Sequence, residues 1–164
     1  MTEILVAYAT KMGATKEIAE AIGARIRSAS HEVVVLDAAD VHSVEPCKAV
    51  VLGSALYAGG WRREAVKLLA RNEKLLHSRP LRLFHSGPLG ADITAQQAPR
   101  KVREIAARLG AEEPFTFGGR LTPQTAVGFF AKKMALGPAA GDFRDWDEID
   151  RWAYTIAQRL VAAR

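Results

Sequence analysis

Apolar and polar positions along the chain fall into two alternating rhythms. Residues 3–9 (EILVAYA), 32–37 (EVVVLD), 48–54 (KAVVLGS), 80–86 (PLRLFHS) and 114–119 (PFTFGG) are short, nearly continuous apolar runs. Runs of this length and apolarity predict strands buried on both faces. Between them the spacing changes to that of a helix with one apolar face. Ile18, Ile22 and Ile26, with Ala19 alongside, mark residues 15–28. Val66, Leu69 and Leu76 mark 62–77, Val102, Ile105, Ala106 and Leu109 mark 98–109, and Ile149, Trp152, Ile156 and Leu160 mark 145–162. Thr15 is placed to cap the first helix, with Glu17 in its first turn. Segment 38–47 has room only for a brief helix. Strand and helix in alternation predict an α/β fold, a parallel sheet covered on both faces, with right-handed crossovers.

One stretch breaks the rhythm. Residues 120–144 (RLTPQTAVGFFAKKMALGPAAGDFR) separate the last strand from the last helix. Connections of that length are usually functional or disordered, and its Phe129, Phe130, Met134 and Leu136 favour order. The 164 residues, 49% hydrophobic and 25% charged, fit one domain over 1–164 with this segment inserted, and exclude a disordered chain. No apolar run is long enough to span a membrane, and the N-terminal residues do not form a signal peptide, so a cytoplasmic protein is expected. A lone cysteine, Cys47, and four histidines (His31, His42, His77, His85) without ligand spacing give no expectation of a metal. The net charge of +5 is spread evenly and favours an anionic ligand or surface. No nucleic-acid motif accompanies it, and no nucleic acid is expected as a partner.

In an open parallel sheet, ligands bind beyond the carboxyl ends of the strands. Three loops therefore matter. In the first, Thr10-Lys11-Met12-Gly13-Ala14-Thr15, hydroxyls and a flexible glycine precede a helix N-terminus, which suits a phosphate. An ordinary strand-to-helix turn fits the same residues. It is neither a Walker loop nor G-x-G-x-x-G. The second, Ser54-Ala55-Leu56-Tyr57-Ala58-Gly59-Gly60-Trp61, has an aromatic on which a planar ring can stack. Tyr57 reads as functional, whereas Trp61 fits a pocket rim and a helix-starting core residue equally. The third, 86–94, begins Ser86-Gly87-Pro88-Leu89-Gly90 and can present backbone N–H groups to a polar ring edge. His85 before it reads as a proton donor or, more commonly, a packed histidine. Cys47, away from this edge, reads as inert.

Together the three loops resemble those of a flavodoxin. T-x-x-G-x-T (Thr10, Gly13, Thr15) is similar to its FMN phosphate loop, and Tyr57 stands where flavodoxins stack an aromatic on the isoalloxazine. VAYATKMGATKEIAEAIG, VVLGSALYAGGW and GDFRDWDEIDRWA further resemble the FMN-dependent, quinone-linked protoporphyrinogen oxidases of bacteria, which also carry an apolar and basic insert before the last helix. The resemblance implies a flavodoxin-like three-layer sandwich with a five-stranded parallel sheet in the order 2-1-3-4-5. It implies FMN held by residues 10–15, by Ser54, Ala55, Leu56, Tyr57, Ala58, Gly59 and Trp61, and by Ser86 to Gly90. The flavin carries the redox chemistry, so no catalytic side chain is expected. The donor is expected to be a porphyrinogen or another small molecule. The acceptor is a quinone or a redox partner protein.

There are departures. Met12 replaces the usual hydroxyl, with Lys11 beside it as an electrostatic substitute, and the insert is shorter and less basic than the family's. Phe129, Phe130, Lys132, Lys133 and Met134 are the candidate contacts to substrate or to the inner membrane surface; a lid packed on the protein's own core is the equal alternative. A non-enzymatic FMN electron carrier is the second expectation; the basic stripe Arg63, Lys67, Arg71 and Lys74 offers it a docking face, but reads first as an ordinary solvated helix face. The acidic docking surface usual for flavodoxin shuttles is missing from this basic chain.

Overall fold

The computed structural model describes residues 4–87 and 97–162. Five of its strands form a parallel sheet. They are β1 (Ile4–Ala9), β2 (Val33–Asp37), β3 (Ala49–Tyr57), β5 (Leu81–Ser86) and β6 (Phe115–Phe117). A two-residue β4 (Gly60–Trp61) folds back antiparallel on the end of β3. The parallel strands lie in the order β2-β1-β3-β5-β6, which is the expected 2-1-3-4-5 order of the five apolar runs.

Alternate side chains of each strand serve opposite layers. Leu5, Ala7, Val50, Leu52, Leu81 and Leu83 face Leu68 and Leu69 of α2 (Arg63–Arg71), Leu76 of α3 (Glu73–Leu76), and Val102 and Ile105 of α4 (Arg100–Arg108). Ile4, Val6, Val51, Phe84 and Phe117 face Ile18, Ile22 and Ile26 of α1 (Ala14–Ser28). Ile149 and Ile156 of α6 (Trp146–Ala162) complete that layer. Trp152 of α6 closes it edge-on, its ring 5.8 Å from Phe84 and 5.6 Å from Phe117. Segment 38–47 contributes one 3-10 turn, Ala38–Asp40, in which the Asp37 carboxylate accepts from the Ala39 N–H.

Three local departures have physical causes. The expected helix over 62–77 breaks at Asn72, which is buried with φ −104° and ψ 12°. Its side chain turns inward, donating to the Leu68 carbonyl and accepting from the Val44 N–H. Thr15 does not cap α1. Gly13 occupies that position in a left-handed conformation (φ 87°), which puts Thr15 inside the helix, 1% exposed. Tyr57 is not mid-loop but the last residue of β3, paired with Gly60 across a hairpin whose tip is Ala58-Gly59. Both tip residues have positive φ (50° and 77°), the combination that matches the right-handed twist of the two strands.

The segment 120–144 has structure of its own. β7 (Arg120–Leu121) and β8 (Gly141–Asp142) pair antiparallel, and α5 (Phe129–Met134) lies between them. Leu121, Ala126, Ala131 and Ala135 form a small core, and Met12 packs against it.

Alanine in the left-handed region costs roughly 1 kcal/mol relative to the right-handed one. Ala58→Gly is therefore expected to raise the urea midpoint, corresponding to a gain of about 0.5–1 kcal/mol. A lowered midpoint would show that the Ala58 methyl contributes packing the turn depends on.

Candidate functional site

Strand register sets the site. Ala9 lies opposite Ser54, Ser54 opposite His85, and Ser86 opposite Phe117, so β1, β5 and β6 end within a residue of one row while β3 runs on above it to Tyr57. The loops that follow enclose a cavity of about 320 Å³, at the low end of small-ligand sites. Its wall includes Thr10, Lys11, Met12, Ala14 and Thr15 from the first loop. Ala55, Leu56, Tyr57 and Ala58 come from the hairpin, and Ser86 and Gly87 from the end of β5. Gly119, Arg120, Leu121, Ala131 and Met134 complete it from the far side.

The first loop is braced from within. The Thr10 hydroxyl accepts from the Gly13 N–H at 2.9 Å, tightening the turn. α1 has no side-chain cap, so its first-turn N–H groups keep their capacity to donate to an anion. The Thr15 and Ser86 hydroxyls lie 3.0 Å apart and join the first loop to the end of β5. Beside them the backbones of Gly87 and Gly119 nearly touch: a Cβ on Gly119 would lie 3.0 Å from the Gly87 Cα. Any side chain there would push the two strand ends apart and intrude on the cavity.

The remaining expected site residues divide. Lys11 does not turn toward the helix N-terminus; its ammonium sits 3.6 Å from the Tyr57 ring centroid. A planar ligand stacking on that face requires Lys11 to move. Met12 is not a lost phosphate contact alone, since its side chain anchors the inserted segment. Gly13 turns the loop from outside the cavity wall. Ser54 is fully buried and structural: its hydroxyl accepts from the Arg62 N–H and donates to the Ala55 carbonyl. Gly59 is at the hairpin tip, off the wall. Pro88, Leu89 and Gly90 lie outside the described residues.

Trp61 is corrected to a core residue. It is 9% exposed, and its indole Nε1–H donates to His85 Nδ1 at 3.0 Å. An indole can only donate. His85 is thereby held as the tautomer with its proton on Nε2, which lies 2.9 Å from the Thr116 hydroxyl. Buried and so engaged, His85 is a packing residue rather than a proton donor to the cavity. Burial pushes the Cys47 thiol up, Arg79 countering only in part, in keeping with an inert cysteine. Of the outer candidates, Met134 reaches the cavity wall, while Phe129, Phe130, Lys132 and Lys133 point to solvent.

A charged group missed in the sequence reading closes the site. Arg120 donates to the Glu17 carboxylate and, at 3.1 Å, to the Met12 carbonyl. Arg144, 4% exposed, donates to the same Glu17 oxygen at 2.9 Å and to Asp142 at 2.7 Å. Desolvation pushes the Glu17 carboxyl up, but the Arg144 hydrogen bond and the two guanidinium charges outweigh it and hold it below its ordinary range. Arg144 does the same for Asp142, through its side-chain hydrogen bond first. The switch-point rule that selected the other loops also covers residue 120, directly after the fifth strand.

A parallel α/β sheet whose carboxyl edge holds an uncapped helix N-terminus, an aromatic and a cavity lined in part by glycine has the features that suit an anionic planar ligand. The model of the flavodoxin domain matches residues 5–135, so the chain belongs to the flavodoxin-domain family. FMN is the cofactor this membership implies, and the cavity's donors, hydroxyls and Tyr57 fit it.

Solved structures bear out the fold. An archaeal flavodoxin is 22% identical with a TM-score of 0.64, over 96% of this chain and 98% of that one. Flavodoxin 2 from Bacillus cereus is 20% identical with a TM-score of 0.64, over 96% and 99%. Rubredoxin oxygen:oxidoreductase from Desulfovibrio gigas is 15% identical with a TM-score of 0.65; the match covers 99% of this chain but only 37% of that larger one. No curated protein matches the chain.

Glu17 supplies a pH test. A carboxyl whose folded pKa is lowered adds stability above its unfolded pKa and loses it as pH falls through the folded value. Glu17→Gln is expected to melt below the wild type at pH 7, with the gap closing below about pH 4. Thermal melts at both pH values check it; a constant gap would show that Glu17 acts by packing alone.

Proposed function

We propose that the chain is an FMN oxidoreductase of the protoporphyrinogen oxidase kind, taking hydrogen from a large apolar porphyrinogen and passing electrons to a quinone. The observation that carries this reading is the two-sidedness of α5. Ala131 and Met134 line the cavity, while Phe129 and Phe130 on the same short helix are 76% and 75% exposed. An apolar donor or acceptor arriving from outside meets an apolar surface that leads to the cofactor site. When bound, FMN accepts the reducing equivalents of the donor and releases them to the acceptor. The protein's part is to hold, orient and shield. The uncapped end of α1 and the hydroxyls of Thr10, Thr15 and Ser86 would hold the phosphate. Tyr57 offers its ring for stacking, Leu56 and Met134 keep water from the apolar edge, and Gly87 and Gly119 leave room for the flavin to approach the backbone.

FMN-loaded protein, mixed anaerobically with protoporphyrinogen IX and a short-chain quinone, is expected to yield fluorescent protoporphyrin over many turnovers. Turnover that appears only when a partner protein is added would instead support an electron carrier. That second reading is favoured by the flavodoxins matched over nearly their whole length and by the exposed stripe of Arg63, Lys67, Arg71 and Lys74.

A quinone acceptor places the work at a membrane surface. No helix among the described residues is long and apolar enough to cross one. Phe129, Phe130 and Leu136 (81% exposed) instead form an apolar patch beside Lys132 and Lys133, the composition of an interfacial contact. The protein is expected to float with anionic vesicles in a density gradient, and a Phe129→Ser, Phe130→Ser double variant to stay at the bottom. Wild-type protein that stays behind would remove the membrane contact.

A further inference from the structure

We propose that Arg120, the first residue of the inserted segment, binds the phosphate of FMN, so that the segment forms part of the cofactor's anchor. The proposal rests on the FMN reading of the cavity. Arg120 lines that cavity, and its side chain is 14% exposed. Its guanidinium lies against the turn that starts α1: a Cβ on Gly13 would meet Arg120 Nη2 at 3.3 Å. One donor goes to Glu17 and one to the Met12 carbonyl. Nε is buried with no hydrogen-bond partner among the described residues. A guanidinium has five N–H donors in a fork suited to phosphate, so this one retains unspent capacity beside an uncapped helix end.

Lys11, which lines the cavity with Arg120, does not compete for the role. The Lys11 ammonium is turned onto Tyr57, toward the ring end of the cavity rather than the helix N-terminus. Nor does Glu17 cancel Arg120 outright, since that carboxylate is shared with Arg144. A phosphate monoester carries roughly −1.5 to −2 charges at neutral pH. Together the first-turn N–H groups, the loop hydroxyls and one guanidinium match it in charge and in donor number. Met12, where a hydroxyl is usual, withholds a side-chain donor. Its carbonyl holds the arginine in place.

The test separates the phosphate from the ring. Apo-protein and Arg120→Gln are titrated with FMN and with riboflavin, following flavin fluorescence at low and high salt. Losing a charge-assisted contact to phosphate is expected to weaken FMN by about 10- to 100-fold. Riboflavin affinity should change less than twofold, and the salt dependence of FMN binding should fall. Equal losses for both flavins would overturn the proposal, since Arg120 would then only hold the segment in place. Unchanged FMN affinity would overturn it too. If Arg120→Gln does not fold, Arg120→Lys replaces it: an intermediate loss confined to FMN supports the assignment, and full retention rejects it. A wild type that binds FMN no better than riboflavin rejects Arg120 while leaving flavin binding intact. A wild type that binds neither rejects the FMN reading, and the assignment with it.

Discussion

Parallel strands all deliver their carboxyl ends to the same edge of a sheet, and here the hydrogen-bond register aligns one row across them, above which β3 runs on furthest. Ala9, Ser54, His85 and Thr116 lie in one row across β1, β3, β5 and β6. The four segments that follow these strands, distant in sequence, therefore meet at one edge, and the cavity is their common boundary. The row is also held from beneath. Ser54 ties the hairpin to the start of α2 through the Arg62 N–H, and Trp61 binds the His85 ring, which reaches Thr116. The Trp61–His85 contact is buried and the other two partly so, and Ser54 and His85 are themselves fully buried, so a lost partner would leave their polar atoms stranded in an apolar layer. The floor of the site is rigid for that reason, and variation is confined to what stands above it.

What stands above it is largely the inserted segment. It is attached by apolar and ionic contacts at once: Met12 fits the small core of Leu121, Ala126, Ala131 and Ala135, and Glu17 receives two arginines. Met12 lines the cavity, and Glu17 stands in the first turn of the helix that follows it. A change in the segment is therefore felt at the cofactor, and a change at the cofactor in the segment. Met12 illustrates the exchange. A residue that looks like a deficit in a phosphate loop is an apolar contact once the segment is present.

Much of the fold was legible in the sequence because it follows from periodicity. Five apolar runs became five parallel strands in the expected order. Four helical stripes became helices, one of them divided where Asn72 turns its amide inward. Periodicity says nothing about which way an isolated polar or aromatic residue faces, and there the reading fell short. Trp61 and Ser54 are paired inward by tertiary hydrogen bonds that no local pattern announces. Tyr57 belongs to a strand because β4 returns to pair with it, a contact made beyond the short apolar run that marked the strand. Arg120, Arg144 and Glu17 meet across more than a hundred residues of chain, and such a meeting is visible only once the sheet has brought its edges together.

The two ends of the inserted segment converge. Arg120 and Arg144 reach the same oxygen of Glu17, and Arg120 itself lies opposite Asp142 where β7 pairs with β8. The excursion thus leaves and rejoins the body through a narrow neck that is stitched shut. Lengthening a loop that is already closed at its base adds little entropic cost, because that cost grows only with the logarithm of its length. The residues between the stitches can be exchanged, shortened or extended without asking anything of the sheet. In such an architecture the neck is heritable scaffold and the excursion is a replaceable face, through which one cofactor-holding body can be fitted to different donors, acceptors or surfaces.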